Sequence, residues 1–182
     1  MTAAAIVPDA YRQVLGHFCT GVTVITTRDQ DGAAGFACQA FAALSLEPPL
    51  VLFCPSRSSA TWRRIARAGV FCANVLAASQ RETARTFGRP GPSRFDGVGW
   101  EPAGNGAPVL DGVLTWAACT VRDAHEAGDH YLVTGEVSEL GPCRPGEPLV
   151  FYRGRFGAPD PVAGPPEVVD TLLSWSRHSD WI

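Results

Sequence analysis

The 182-residue chain contains no lysine: its fifteen cationic side chains are all arginine, set against eighteen carboxylates for a net charge of −3. Nor is there a basic run, and a surface that neutralises a nucleic-acid backbone needs clustered cations. No nucleic-acid partner is expected, whereas a small phosphorylated ligand, which needs only one or two arginines, stays open. CxxC and HxxxH spacings are both missing, so no metal site is expected. No stretch approaches the apolar length that spans a bilayer, and the N-terminal MTAAAIVPDAYRQ has no basic segment leading into a long apolar run. The reading is a cytoplasmic protein with no membrane contact. No internal repeat is present.

What the chain does have is apolar residues, 46% of the total. At this length they suffice for one compact domain with a substantial core, not for two. Cys19, Cys38, Cys54, Cys72, Cys119 and Cys143 are scattered, mostly within apolar strand-like runs. They read as buried free thiols rather than a disulfide framework.

Pro8 and Asp9 open a short helix through Tyr11, Val14 and Leu15 that ends near Gly16. GVTVITT, residues 21–27, is dense in β-branched side chains, and DQDG after it is a hairpin signal leading into a strand over 33–44. Pro48 and Pro49 interrupt the ladder before a strand over 50–54. A helix over 60–68 and a strand over 70–76 follow. Ser79 and Glu82 have the spacing of a capping box for a helix over 80–87. Beyond the loop RPGPSRFDG, strands over 113–124 and 130–139 pair as a hairpin across HEAGD, and a last strand covers 149–152. Residues 158–182 form a tail, proline-rich at first, then a short helix with Leu172, Leu173 and Trp175. Five to seven strands with few short helices predict a mainly β, barrel-like domain rather than a βαβ sheet.

Within this frame Gly35 to Trp62 stands out, because two apolar strands meet a hydroxyl-rich turn that opens a helix. Ser56, Ser58, Ser59 and Thr61 offer hydroxyls, Arg57 a fixed charge, and the helix start near Ala60 its free N–H groups. That combination suits a phosphorylated ligand. It equally suits an ordinary serine-rich N-cap with a solvated arginine.

LGHFCTGVTV from Leu15, the run Gly35 to Leu50, FCANVLAASQ from Phe71, SRFDGVGW from Ser93 and AGDHYLVTGEV from Ala127 occur in one order. Together they resemble the flavin reductase family with the FMN-binding split-barrel fold, over residues 10 to 157. More narrowly they are similar to the reductase components of two-component flavin-dependent monooxygenases, including those that serve aromatic-ring hydroxylases of steroid degradation. The resemblance implies a split β-barrel domain over residues 1–157 with short connecting helices. It implies an NAD(P)H-dependent flavin reductase, FMN or FAD reduced by NADH or NADPH, a homodimer, and a partner monooxygenase that receives the reduced flavin.

It also implies site residues. Ala37, Cys38, Gln39, Ala40 and Phe41 would border the flavin ring, with Gln39 bonding its polar edge and Cys38 beside it. Many relatives carry Thr, Ser or Asn at the positions of Ala37 and Gln39. Ser56, Arg57, Ser58, Ser59 and Thr61 would hold the phosphate, approached by Arg94, where many relatives have Lys, and Phe95. Asn74 would touch flavin or serve neighbouring backbone groups. His130 would be the catalytic residue, orienting the nicotinamide, since hydride transfer needs no obligatory protein acid. Tyr152, Arg153, Gly154 and Arg155 would meet the pyrophosphate of NADH, unless that arginine pair is simply solvated. A protein that stores or senses flavin without NADH is the alternative, and an oxidase of the pyridoxamine-phosphate type a third reading.

Overall fold

The computed structural model describes residues 6–91 and 94–159. In chain order the elements are α1 (Pro8–Leu15), β1 (Thr20–Gly21), β2 (Thr23–Asp29), β3 (Gly32–Cys38), β4 (Phe41–Leu46), β5 (Pro49–Phe53), α2 (Ala60–Ala68), β6 (Val70–Val75), a single 3-10 turn (Ala78–Gln80), α3 (Arg81–Gly88), β7 (Trp100–Pro102), β8 (Pro108–Leu110), β9 (Thr115–Ala127), β10 (His130–Leu140), β11 (Val150–Tyr152) and β12 (Arg155–Gly157). The helix expected around Leu172, Leu173 and Trp175 lies outside the described residues.

Seven strands form one antiparallel sheet in the order β3-β2-β6-β9-β10-β5-β4. Its two edges, β3 and β4, are joined by only Gln39 and Ala40. A two-residue link cannot cross a flat seven-stranded sheet, so the sheet curls until its edges meet at that end, while no ladder pairs them along their length. The result is a split barrel. Two smaller sheets, β1-β11-β12 and β7-β8, flank it.

The strand expected over 33–44 is thus two strands with a bend between them. The sequence offers no Gly or Pro at Gln39–Ala40 to mark it. The capping box expected from Ser79 and Glu82 is not made. Gln80 Oε1 instead accepts the Ala77 N–H at 3.0 Å, and Glu82 pairs with Arg85 one turn on.

Because β2 carries apolar or β-branched side chains at successive positions, both of its faces are buried. Ile25 joins Val51, Phe53, Phe71, Ala73, Cys119 and Val133 inside the barrel, closed by Trp62 and Ile65 of α2. On the other face Val22 and Val24 pack with Leu76, Ala84, Phe87, Leu110, Val113 and Leu149. In β10 the register with β9 shifts after Thr134, at Gly135. A Cβ there would lie 2.4 Å from the Phe71 ring, so the ring fills the space a side chain would take.

Three of the six cysteines, Cys38, Cys72 and Cys119, are buried and Cys54 is half-buried, as read from the sequence, but Cys19 and Cys143 are exposed. All six are free thiols. Among the described residues no helix is long and apolar enough to cross a membrane.

Candidate active site

The end of the barrel where β3 passes into β4 gathers most of the singled-out residues. Phe41 N–H donates to Gln39 O and Cys54 N–H to Ala40 O, both at 3.0 Å, which ties the bend to the end of β5. Gln39 and Ala40 are exposed there, and Ala37 and Phe41 are half-buried. Cys38 is not at the surface. Strand alternation turns it into the barrel core, where it is 5% exposed and burial pushes its thiol up to about 11. Its side chain is therefore not the ring neighbour the resemblance implied.

β5 leads through Cys54 and Pro55 into the hydroxyl-rich turn. The hydroxyls of that turn are used differently from one residue to the next. Ser59 is an N-cap whose Oγ accepts the Trp62 N–H at 3.1 Å. Thr61 is buried, and its Oγ1 accepts from Arg94 Nη1 at 3.2 Å, so it holds an arginine instead of offering a surface hydroxyl. Ser56 and Ser58 remain at the mouth, bonded to each other through Oγ atoms 2.9 Å apart. Arg57 is exposed on the same turn.

Arg94 reaches this place from the loop after α3. Its Nε donates to Arg89 O at 2.7 Å and its Nη1 to Gly35 O at 2.6 Å. These acceptors and Thr61 are all neutral, so they fix the guanidinium without cancelling its charge. Partial burial lowers its pKa, which marks a cation partly removed from water and able to pair with an anion. Phe95 points the other way. Its ring packs edge-on against Phe87 at 5.0 Å and Trp100 at 6.2 Å, anchoring the loop to the outer core.

His130 comes to the same place from β10. Ala127 and His130 are Cα partners, so the β9–β10 hairpin turns in two residues, Gly128 and Asp129, not across the longer HEAGD. The tip of this hairpin docks on the serine turn: Ser56 and His130 form an antiparallel bridge, Arg57 N–H donates to Asp129 O at 3.0 Å, and Tyr131 N–H donates to Pro55 O at 2.9 Å. The Nδ1 of His130 lies 2.7 Å from Asp129 Oδ1, and this contact lowers the pKa of the carboxyl. Asp129, Glu126 and Tyr131 were not singled out from the sequence. Asp129 is adjacent to His130 in the same GDH run, but the other two become visible only through the hairpin register.

Asn74 and the run Tyr152 to Arg155 are not brought here. Asn74 is fully buried, and its amide is used by the fold: Nδ2 donates to Val24 O and Thr26 Oγ1, each at 3.1 Å, and Oδ1 accepts Leu110 N–H at 2.9 Å. It pins β8 to β2 and β6 and has no face for a flavin. Tyr152 to Arg155 form the tip of the β11–β12 hairpin, whose turn residues Arg153 and Gly154 both have positive φ, 49° and 78°. Its contacts run to the end of α1: Arg153 N–H donates to Gly16 O at 2.9 Å, and the Tyr152 ring meets His17 edge-on at 6.2 Å. Tyr152, Arg153 and Arg155, with Phe156 and Gly157, line a cavity of about 460 Å³.

The exposed bend at Gln39, the hydroxyls of Ser56 and Ser58, the fixed charge of Arg94 and the imidazole of His130 thus share one end of the barrel. The donor set fits a phosphate beside a flat heterocycle, and backbone contacts tie together the segments that carry Gln39, Ser56 and His130.

The profile of the flavin reductase like domain matches residues 15–159. The reductase subunit HsaB of a flavin-dependent monooxygenase from Rhodococcus jostii is 45% identical over 186 aligned positions, covering 100% of this chain and 95% of that protein. The crystal structure of nitrilotriacetate monooxygenase component B from Mycobacterium thermoresistibile is 47% identical, covers 87% of this chain and 89% of its own, and superposes with a TM-score of 0.83. The NADH:FAD oxidoreductase SgcE6 of Streptomyces globisporus, in complex with NAD and FAD fragments, is 32% identical, covers 89% of this chain and 100% of its own, and gives a TM-score of 0.82. With the profile spanning most of the chain and relatives this similar over nearly its whole length, the chain belongs to the flavin reductase family, on its split-barrel fold.

Proposed function

We propose that this protein is an NAD(P)H:flavin oxidoreductase that reduces FMN or FAD by hydride transfer and supplies the reduced flavin to a partner monooxygenase. The observation that carries the reading is the bridge between Ser56 and His130, which puts a phosphate-type turn and an imidazole side by side although they are far apart in sequence. When bound, the flavin and nicotinamide supply the redox chemistry, and the chain's residues supply placement.

Gln39 and the exposed backbone of the β3–β4 bend would bond the polar edge of a flavin ring. Ser56, Ser58 and Arg94 would hold its phosphate. His130 would orient the nicotinamide. In the neutral ring, Nδ1–H donates to Asp129, which leaves Nε2 as an acceptor suited to an amide N–H of the nicotinamide. The hairpin of Tyr152 to Arg155 is proposed only as a contact for the outer part of the dinucleotide.

We further propose a homodimer and a cytoplasmic location, with the reductase domain ending near residue 157. The apolar side chains of α1, Tyr11, Val14 and Leu15, are 55%, 66% and 52% exposed, and Phe18 beyond it is 77% exposed. An amphipathic helix with no buried residue is incomplete alone, and a second copy would cover it. A solution mass of two chains is expected, and a monomer at micromolar concentration would count against pairing. The function itself is tested by sustained NADH or NADPH oxidation in the presence of excess free flavin.

A further inference from the structure

Of the two arginines that the resemblance assigns to the phosphate, Arg57 and Arg94, each is held in a different way. Arg94 has neutral acceptors. The Nη1 of Arg57, by contrast, lies 3.2 Å from Glu126 Oε2, and its guanidinium carbon sits 6.0 Å from the centroid of the Tyr131 ring. Glu126 and Tyr131 are Cα partners directly opposite each other on the β9–β10 hairpin. Arg57 therefore rests on one cross-strand pair, with its charge matched by a carboxylate and its plane over an aromatic ring whose far neighbour is Trp62, 5.7 Å away. The side chain is parked on the hairpin, while its own backbone stays in the serine turn.

We propose that Glu126 tunes how tightly the site retains a phosphorylated flavin, by competing with the flavin phosphate for Arg57. This rests on the flavin reductase reading above. A phosphate entering the turn meets Arg94 ready and Arg57 engaged, and must displace a carboxylate of like charge to recruit the second arginine. The competition weakens binding of oxidised and reduced flavin alike, which suits a protein whose product leaves. Both partners are substantially exposed, 47% and 63%, so water and salt screen the pair and the effect is modest. Glu126 is a positioning residue in this account and touches no reacting atom.

The test compares FMN and riboflavin, which differ in the phosphate alone, binding to the full-length protein and to Glu126→Gln, by quenching of flavin fluorescence. Glu126→Gln is expected to tighten FMN by about two- to fivefold, the range of an exposed ion pair, and to leave riboflavin unchanged. In an Arg57→Ala background the same substitution should change neither. Unchanged or weaker FMN binding in Glu126→Gln, or an equal shift for both flavins, would overturn the proposal while leaving the reductase reading intact. Failure of the unaltered protein to bind either flavin would overturn both.

Discussion

With Nδ1 against Asp129, the neutral ring of His130 has Nε2 free, and the bridge to Ser56 fixes the backbone that carries it. A side chain held by one neighbouring carboxylate, on a backbone held by the serine turn, is suited to orienting a ligand, and hydride transfer is steep in the alignment of its partners. His130→Ala is therefore expected to slow NADH oxidation by about ten- to a hundredfold while flavin affinity stays within about twofold. Parallel loss of flavin binding, or undiminished turnover, would take His130 out of the nicotinamide role. At this scale the sequence reveals chemistry but not direction. Cys38 and Asn74 lie in motifs like those of relatives, yet one faces the barrel core and the other spends its amide on backbone groups. Which face of a strand a residue takes depends on the bend at Gln39–Ala40 and on the packing of β8 against Asn74, neither of which is marked by a turn residue.

The serine turn keeps its position because α2 is anchored at its other end. Arg64 of α2 donates through Nε to Asp29 Oδ2 at 3.0 Å, through Nη2 to the other oxygen, and through Nη2 to Gly32 O at 2.8 Å, with Arg67 3.3 Å from the same carboxylate. The Arg64 hydrogen bonds hold the carboxyl of Asp29 at about 2, below its ordinary 3.8. A carboxyl depressed on folding stabilises the fold above its unfolded value, and that stabilisation is lost as pH falls from near 4 through about 2. Asp29→Asn is expected to cost about 1 to 2 kcal/mol at neutral pH and to flatten the acid side of the stability profile in that window, as read by urea unfolding. An unchanged profile would mean the network is only superficial. Elements with strong local signals were legible: the expected helix over 60–68 is α2, bounded by Ser59 and by Gly69 at φ 70°. The three-residue strands β7, β8 and β12 were not, because so few residues carry no period of their own.

For the whole molecule, the barrel-like class followed from strand count and the scarcity of long helices, while closure did not. It arises because sequence neighbours β3 and β4 lie at opposite edges of one sheet, a matter of long-range pairing order. The same closure brings together Gln39, Ser56, Ser58, Arg94 and His130, which no local pattern connects. A site at one end of a barrel, built from exposed and half-buried groups, suits a flavin that enters, is reduced and departs. Anaerobic mixing of the protein with NADH and a large molar excess of FMN or FAD tests this most directly, by following flavin and nicotinamide absorbance together. The account predicts that the whole flavin pool is bleached, many flavins per chain, with one NADH consumed for each. Reduction that stops at one flavin per chain, or no NADH or NADPH consumed with either flavin, would contradict it.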